Sequence, residues 1–373
     1  MEGNGTQIRV LVVDDSAFMR RVLGNIIGAD PQMKVVGVAS DGREAVTQAE
    51  SLHPDVITMD INMPVMDGLQ ATEHIMTQNP RPIVVVSSES REGASGTLRA
   101  LELGAVDFVA KPSAAIDLDM GTVREELLRK IRVASKVRVV RTASRSKVAL
   151  DPKGTGKTVI QPAPFIPSAA ALRDSDRFPL VVVAASTGGP ATVMQILPKL
   201  PKGFPAAILL VQHMPATFTT QYGQQLGERA AMKVKEAAHG DQIEAGTIYV
   251  CPGSHHLRVS ATGRLQLDDG PRIDGYRPCA NVTMESAAAF AGPMAMGVVL
   301  TGMGGDAAQG AQVIKKKGGF VIAQDEATST IFGMPAEAIK TGAVDRVLPE
   351  DGIKAGIERR VFELLSQPQK VKV

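Results

Sequence analysis

Carboxylates, a hydroxyl and an amine recur at comparable places in the first third of the chain. Asp14 and Asp15 follow an apolar run at 8–13. Asp60 follows a run at 56–59, Ser87 one at 83–86 and Lys111 one at 106–109. If these runs are parallel strands, all five side chains reach the same C-terminal edge of one sheet, where open α/β sheets bind ligands. Three carboxylates crowded there repel one another unless a cation sits among them, and hard oxygen donors suit Mg²⁺. A carboxylate in that setting can also accept a phosphoryl group. Lys111 would neutralise phosphoryl oxygens as a point charge, and Ser87 could hydrogen-bond the same group. Singly, these residues have plainer uses: Asp14 and Asp15 as helix caps, Lys111 as an ion-pair partner. The joint pattern at matched strand ends argues for a site.

A second set of reactive residues lies beyond residue 178. The run 180–185 leads into Ser186, then Thr187, Gly188, Gly189 and Pro190. The glycines permit a tight turn, and Pro190 suits the first turn of a helix. Ser186 is thus expected between a strand end and a helix N-terminus, whose unpaired N–H groups can stabilise an oxyanion or hold a phosphate. The motif is not G-x-S-x-G, because position 184 is Ala. A nucleophilic serine needs a base. Of the six histidines, His53 and His74 belong to the first block, His239, His255 and His256 fall in predicted loops, and His213 follows the run 206–211. Two strand-end carboxylates could orient its imidazole: Asp306 after 294–300 and Asp325 after 320–323. Pattern leaves both open, although the glycines ahead of Asp306 allow close backbone approach.

The elements that position these residues can be read from periodicity. The first five runs (8–13, 35–39, 56–59, 83–86, 106–109) recur every 20 to 30 residues, the spacing of βα units in a parallel sheet. Phe18, Met19, Val22, Leu23, Ile26 and Ile27 form one face of an amphipathic helix, with Ser16 at its N-cap. A helical stretch is expected around 123–137. From 138 to 177 the apolar period stops, and eight Lys/Arg against three Asp make the segment locally +5. This reads as a basic flexible tether. A second βα-rich block follows, with runs at 180–185, 206–211, 248–250, 294–300 and 320–323.

Composition narrows the function classes. The 373 residues are 44% hydrophobic and 21% charged, ordinary for globular domains, and their length suggests two of them. With 41 Lys plus Arg against 39 Asp plus Glu, the net charge of +2 gives no case for a nucleic-acid binder or a membrane-surface protein. Aromatics at 3%, with no Trp, argue against base-stacking platforms. Two cysteines 28 apart, with no His at ligand spacing, make neither a disulfide framework nor a zinc site. The longest nearly apolar stretch, 287–300, is 14 residues with two Gly and a Pro, where a spanning helix needs roughly 18 or more. With no signal-type N-terminus either, a cytoplasmic protein is expected. The GTGKT at 154–158 lacks both the first P-loop glycine and a preceding strand.

Two resemblances sharpen these readings. Residues 8–125 resemble a response-regulator receiver domain through VVDDSAFMR (12–20), MDINMPVMDG (59–68), VVVSS (84–88) and GAVDFVAKP (104–112). Residues 178–347 resemble the catalytic domain of the CheB family of chemotaxis methylesterases through AASTGGP (184–190), VQHMP (211–215), YVCPGSHHL (249–257), DDGPR (268–272), TGMGGDAA (301–308) and AQDEATSTIFGMP (323–335). The first implies an α/β, flavodoxin-like receiver with a five-stranded parallel sheet of order 2-1-3-4-5. Asp60 is then the phosphoacceptor and Ser87 the switch hydroxyl. Lys111 contacts the phosphoryl group, the Lys111–Pro112 bond is commonly cis, and Asp14, Asp15, Asp60 and the Asn62 carbonyl serve Mg²⁺. The second implies a doubly wound α/β methylesterase domain with Ser186 as nucleophile, His213 as base and Asp306 as orienter. N–H groups near Thr187 and Met303 would be the oxyanion donors. The implied division is 1–125 receiver, 126–177 last receiver helix and linker, and 178–373 methylesterase. The implied activity is phosphorylation-activated hydrolysis of γ-glutamyl methyl esters on chemoreceptors, with a histidine kinase as phosphoryl source and a monomeric enzyme. Ala184 and Gly305 depart from the family's usual Gly and Asn. His256 and Arg277 also match family positions, His256 as a structural or substrate-facing group and Arg277 as a contact for an acidic receptor surface. A general serine esterase and a receiver-linked binding protein are the other readings.

Overall fold

The computed structural model describes residues 7–88, 90–111, 120–137, 139 and 178–366. Pro112 and residues 140–177 lie outside these, so the expected cis Lys111–Pro112 bond and nearly all of the tether do too.

The first unit alternates strand and helix: β1 (Ile8–Val13), α1 (Ala17–Gly28), β2 (Met33–Ala39), α2 (Gly42–Leu52), β3 (Val56–Met59), α3 (Gly68–Gln78), β4 (Ile83–Ser87), α4 (Arg91–Glu102), β5 (Asp107–Ala110) and α5 (Met120–Ala134). The strands are parallel in the order β2-β1-β3-β4-β5. β3 and β4 are buried along their whole length, as strands covered by helices on both faces must be. The Ser16 hydroxyl caps α1 by accepting the Met19 N–H at 3.3 Å. Leu23 and Ile27 of α1 are buried, but Phe18, assigned to the same face, is 66% exposed. It lies in the first turn, at the sheet edge beside the acidic residues rather than over the strands. α5 starts at Met120, so a boundary at 125 cuts the helix, which packs on β5, β4 and α1.

The second unit contains β6 (Leu180–Ala185), α6 (Gly189–Ile196), β7 (Ala207–Gln212), α7 (Ala216–Arg229), β8 (Lys233–Glu236), β9 (Thr247–Val250), β10 (His256–Val259), β11 (Leu265–Asp268), α8 (Ala280–Ala291), β12 (Ala295–Val299), α9 (Ala308–Lys316), β13 (Phe320–Gln324), α10 (Met334–Lys340), β14 (Arg346–Leu348) and α11 (Glu350–Ser366). Seven parallel strands run β14-β13-β12-β6-β7-β9-β8, and β10 pairs with β11 as a separate antiparallel hairpin. β8, β14 and the hairpin were not legible as apolar runs. The β8 sequence KVKE contains only one apolar residue.

Both sheets reverse their winding direction once. In the first the reversal falls between β1 and β3, in the second between β6 and β12. Each reversal opens a crevice at the strand C-termini. Asp14 and Asp60 stand at the first crevice, Ser186 and the 301–306 loop at the second.

The two units share an apolar seam. Phe108 of β5 stacks on Phe218 of α7, with centroids 4.4 Å apart, and both are buried. α4 packs against α7, and Arg229 pairs with Glu102 across that contact at 2.6 Å.

The start of α3 sets the floor of the first crevice. Asp67 and Gln70 form a reciprocal capping box, and the Gly68 N–H donates to the Ile61 carbonyl at 2.8 Å. A Cβ on Gly68 would collide with the Asp60 carbonyl oxygen. Gly68→Ala is therefore expected to destabilise the receiver by about 1–3 kcal/mol, the usual cost of overpacking. A lowered urea midpoint at unchanged slope would show it, whereas an unmoved midpoint would mean that the backbone yields there.

Candidate active site

In the first crevice the β1–β3 register places Val13 beside Met59, so the residues after them are neighbours. Carboxylate oxygens of Asp14, Asp15 and Asp60 lie within 4.8 Å of one another. Asp14 and Asp60 are buried, and Asp15 is exposed. Lys111 Nζ pairs with Asp60 at 2.7 Å and with Asp14 at 2.9 Å. Burial raises the Asp60 carboxyl above the ordinary carboxylate range, and Lys111 offsets that only in part. Burial also opposes the charge on Lys111, but its two carboxylate partners outweigh it and raise the amine. Three carboxylates against one ammonium leave an excess of negative charge among hard oxygen donors, which fits a divalent cation such as Mg²⁺. Asn62 is exposed, and among the described residues its carbonyl accepts no hydrogen bond. The Ser87 hydroxyl donates to the Gly93 carbonyl in α4 at 3.1 Å, and among the described residues no hydrogen bond joins it to Asp60.

In the second crevice Ser186 leaves β6 and Gly188 takes a positive φ of 76°. A Cβ at Gly188 would strike Thr330, and one at Gly302 would strike Ser186, so both turns need glycine. The His213 N–H donates to the Ala185 carbonyl at 3.1 Å, holding the two strand ends together. His213 Nε2 bonds Asp306 Oδ2 at 2.8 Å, and since an ionised carboxylate only accepts, Nε2 carries the proton of that bond. Nδ1 is buried and has no partner among the described residues. Likewise no hydrogen bond joins Ser186 Oγ to His213 among those residues. Asp306 accepts further N–H bonds from Ala280 (2.6 Å), Asn281 (2.9 Å) and Ala307 (2.8 Å), and the Cys279 thiol at 3.2 Å. Burial alone would raise the Asp306 carboxyl, but His213 and the Ala280 and Asn281 amides outweigh it and hold it at about 2. Asp325 instead caps its own turn, accepting the Thr328 N–H at 3.0 Å and its hydroxyl at 2.6 Å. Of the two carboxylates that the sequence left open, Asp306 is thus the one bonded to His213.

The backbone N–H groups of Thr187 and Met303 have no protein acceptor among the described residues. The 301–303 loop is braced from β13, where Gln324 Oε1 accepts the Thr301 N–H at 2.8 Å. Ala184 is an interior β6 residue paired with Val211 and Val299, and a side chain at position 305 would meet only Glu337. Both departures from the family pattern are therefore accommodated locally. His256 is buried with Nε2 on the Pro271 carbonyl at 3.0 Å, a structural placement. Arg277 donates Nη1 to the carbonyls of Asp269 and Gly270, bracing that loop from within.

Three groups that sequence reasoning did not single out reach the second crevice. Asp107 of β5 accepts a hydrogen bond from the Thr187 hydroxyl. Arg129 of α5 donates to Met303 Sδ at 3.4 Å. Tyr276 stacks on the His213 ring. The first two come from the other unit, which no local pattern could indicate. For Tyr276 the Asp274–Gly275 pair, a turn signal, was the available hint.

Comparison with known proteins agrees with both halves. Residues 181–357 match the CheB methylesterase family, and residues 10–120 match the response regulator receiver domain. A protein-glutamate methylesterase/protein-glutamine glutaminase of Symbiobacterium thermophilum is 46% identical over 363 residues, covering 95% of this chain and 98% of that protein. Proteins of the same name from Pyrococcus abyssi and Halalkalibacterium halodurans are 43% and 40% identical, covering 96% and 95% of this chain and 94% and 99% of theirs. With a receiver fold, a second parallel-sheet unit and relatives matched almost end to end, the chain belongs to the CheB methylesterase family.

Proposed function

We propose that the chain is a phosphorylation-activated protein-glutamate methylesterase, which hydrolyses γ-glutamyl methyl esters on chemoreceptors to glutamate and methanol. The observation that carries this reading is the meeting of the two units: receiver groups rest on the residues flanking the serine–histidine–aspartate crevice. The ester carbonyl faces the free N–H groups of Thr187 and Met303. Ser186 Oγ attacks, and its proton passes to His213 Nδ1, the unpaired nitrogen. Asp306, ionised far below neutral pH, stabilises the imidazolium through Nε2–H. The oxyanion is held by the two N–H donors. The imidazolium returns the proton as methanol leaves, and water attacks the acyl-enzyme by the same path. A glutamine side chain would pass through the same acyl-enzyme with loss of ammonia, an activity named for the relatives.

Without a phosphoryl group, Asp107 and Arg129 hold the side chains of both oxyanion residues, so the receiver covers the crevice and grips its donors. A histidine kinase supplies the phosphoryl group to Asp60. Asp14, Asp15, Asp60 and the Asn62 carbonyl would hold Mg²⁺, which offsets negative charge as the carboxylate meets phosphate. Lys111 then has phosphoryl oxygens to bind, and Ser87 can exchange the Gly93 carbonyl for the same group. That frees α4, which packs on α7 across the seam, and β5, which carries Asp107. A tenfold population shift toward the open arrangement takes about 1.4 kcal/mol of differential stability. Among the described residues no helix is long and apolar enough to cross a membrane, and we place the enzyme in the cytoplasm as a monomer that meets receptors through their soluble helices.

Methanol release from methylated receptor membranes, with and without a small phosphodonor, tests this function. Ser186→Ala is expected to lose on the order of 10⁴- to 10⁶-fold in turnover, as removal of the nucleophile in such triads does. Full activity in that variant would refute the assignment. Asp60→Asn should keep the basal rate and lose the phosphodonor response. Glu102→Arg puts a third cation beside Arg99 and Arg229 on the seam. Allowing for solvent screening, it should weaken closure by roughly 0.5–1 kcal/mol and raise basal methanol release about two- to fivefold. An unchanged basal rate would show that this contact has no part in closure.

A further inference from the structure

We propose that Tyr276 is a positioning residue for the hydrolytic reaction: its ring fixes the His213 imidazole while its hydroxyl fixes the loop that carries the Met303 N–H. The inference rests on the reading of Ser186 and His213 as nucleophile and base.

The geometry begins with a turn. Ile273 and Tyr276 exchange two backbone hydrogen bonds, of 3.0 and 2.9 Å, around Asp274 (φ 50°) and Gly275 (φ 84°). Two consecutive positive φ values in an Asp-Gly pair make a tight primed turn, which leaves the residue after it little freedom. Tyr276 emerges from that turn with its ring on His213, centroids 4.3 Å apart and planes 18° from parallel. The Asp306 bond restrains one edge of the imidazole but still lets it swing about Cβ–Cγ. A ring packed on its face blocks that swing, which would otherwise move Nδ1, the nitrogen read as the base.

The other end of the side chain acts on the oxyanion loop. Tyr276 Oη donates to the Met303 carbonyl at 3.2 Å. That carbonyl belongs to the peptide joining Met303 to Gly304, where φ is 92° and a Cβ would strike the tyrosine oxygen. Close approach of phenol to backbone thus needs the glycine. Burial raises the phenol above its ordinary value, so it stays a neutral donor. One side chain therefore spans the base and one oxyanion donor, and it ties their positions together.

The test compares phosphodonor-activated full-length wild type with Tyr276→Phe, which keeps the stack and loses the hydroxyl, and Tyr276→Leu, which loses both. Two readouts are taken: the rate at which a fluorophosphonate labels Ser186, and kcat and KM for methanol release. Tyr276→Phe should lower both the labelling rate and kcat about three- to tenfold, the worth of one hydrogen bond. Tyr276→Leu should lower them about 30- to 100-fold, as misplacement of a base does, with KM within about twofold in both variants. Thermal unfolding of each variant separates loss of fold from loss of position. Equal rates in folded wild type and both variants, or a change confined to KM, would overturn the proposal, as would a Phe variant as slow as the Leu variant. If wild type labels at Ser186 yet releases no methanol, the substrate reading fails, and the ratio of labelling rates still decides the role of Tyr276.

Discussion

A parallel sheet cannot turn back on itself with hairpins, and that constraint governs both halves of this protein. Every strand must end on the same edge, and wherever the winding direction reverses, neighbouring loops part and leave a crevice. The chain uses this opening twice. In the receiver the crevice between β1 and β3 is filled with carboxylates around one lysine. In the hydrolase the crevice between β6 and β12 is filled with a serine, a partly buried imidazole bonded to a buried carboxylate, and glycine turns. The fold explains where reactive groups can gather, and the side chains explain which chemistry each gathering supports.

The seam joins the sites because the elements that border it also border the crevices. β5 begins with Asp107, which reaches Thr187, and is followed by Lys111, which reaches Asp60. Asp107 is in turn tied to Lys130 of α5, a buried ammonium at 3.0 Å from both Asp107 and Glu126. Burial opposes that charge, but the two carboxylates outweigh it and raise the amine. Lys130 Nζ also lies over the Phe108 ring, 4.8 Å from its centroid, so this charged cluster borders the apolar stack of Phe108 on Phe218. Polar contacts in such a place confer geometry more than stability, since each charge must give up its hydration to be there.

Much of this was legible in the sequence, unevenly. Periodicity located the buried strands of both sheets, because a strand covered by helices on both faces must be apolar along its whole length and must end in a turn. It missed β8 and the β10–β11 hairpin, where charged or alternating residues lie at the margin. It also put Phe18 on the buried face of α1, because helical spacing does not say how far the covering sheet extends. The strand-end rule brought Asp14, Asp15, Asp60 and Lys111 into one cluster and set Ser186 beside His213. It could not choose between Asp306 and Asp325, since both stand at strand ends. Only three-dimensional packing shows Asp325 turned into its own loop. Nor could it show that Ser87 is bonded to Gly93, or that Asp107 and Arg129 cross to the other unit. Contacts between distant segments leave no local trace in a single chain.

The grip of the receiver on Thr187 and Met303 has a consequence that runs the other way. Coupling between two sites is reciprocal: if a phosphoryl group on Asp60 favours an uncovered crevice, then a molecule seated in the crevice favours the phosphorylated receiver by the same factor. A substrate seated at the Ser186 edge would compete with Asp107 and Arg129 for the loops they hold and would thereby favour the open switch. The enzyme would thus register its substrate as well as its kinase, and its response would depend on how much methylated receptor surrounds it.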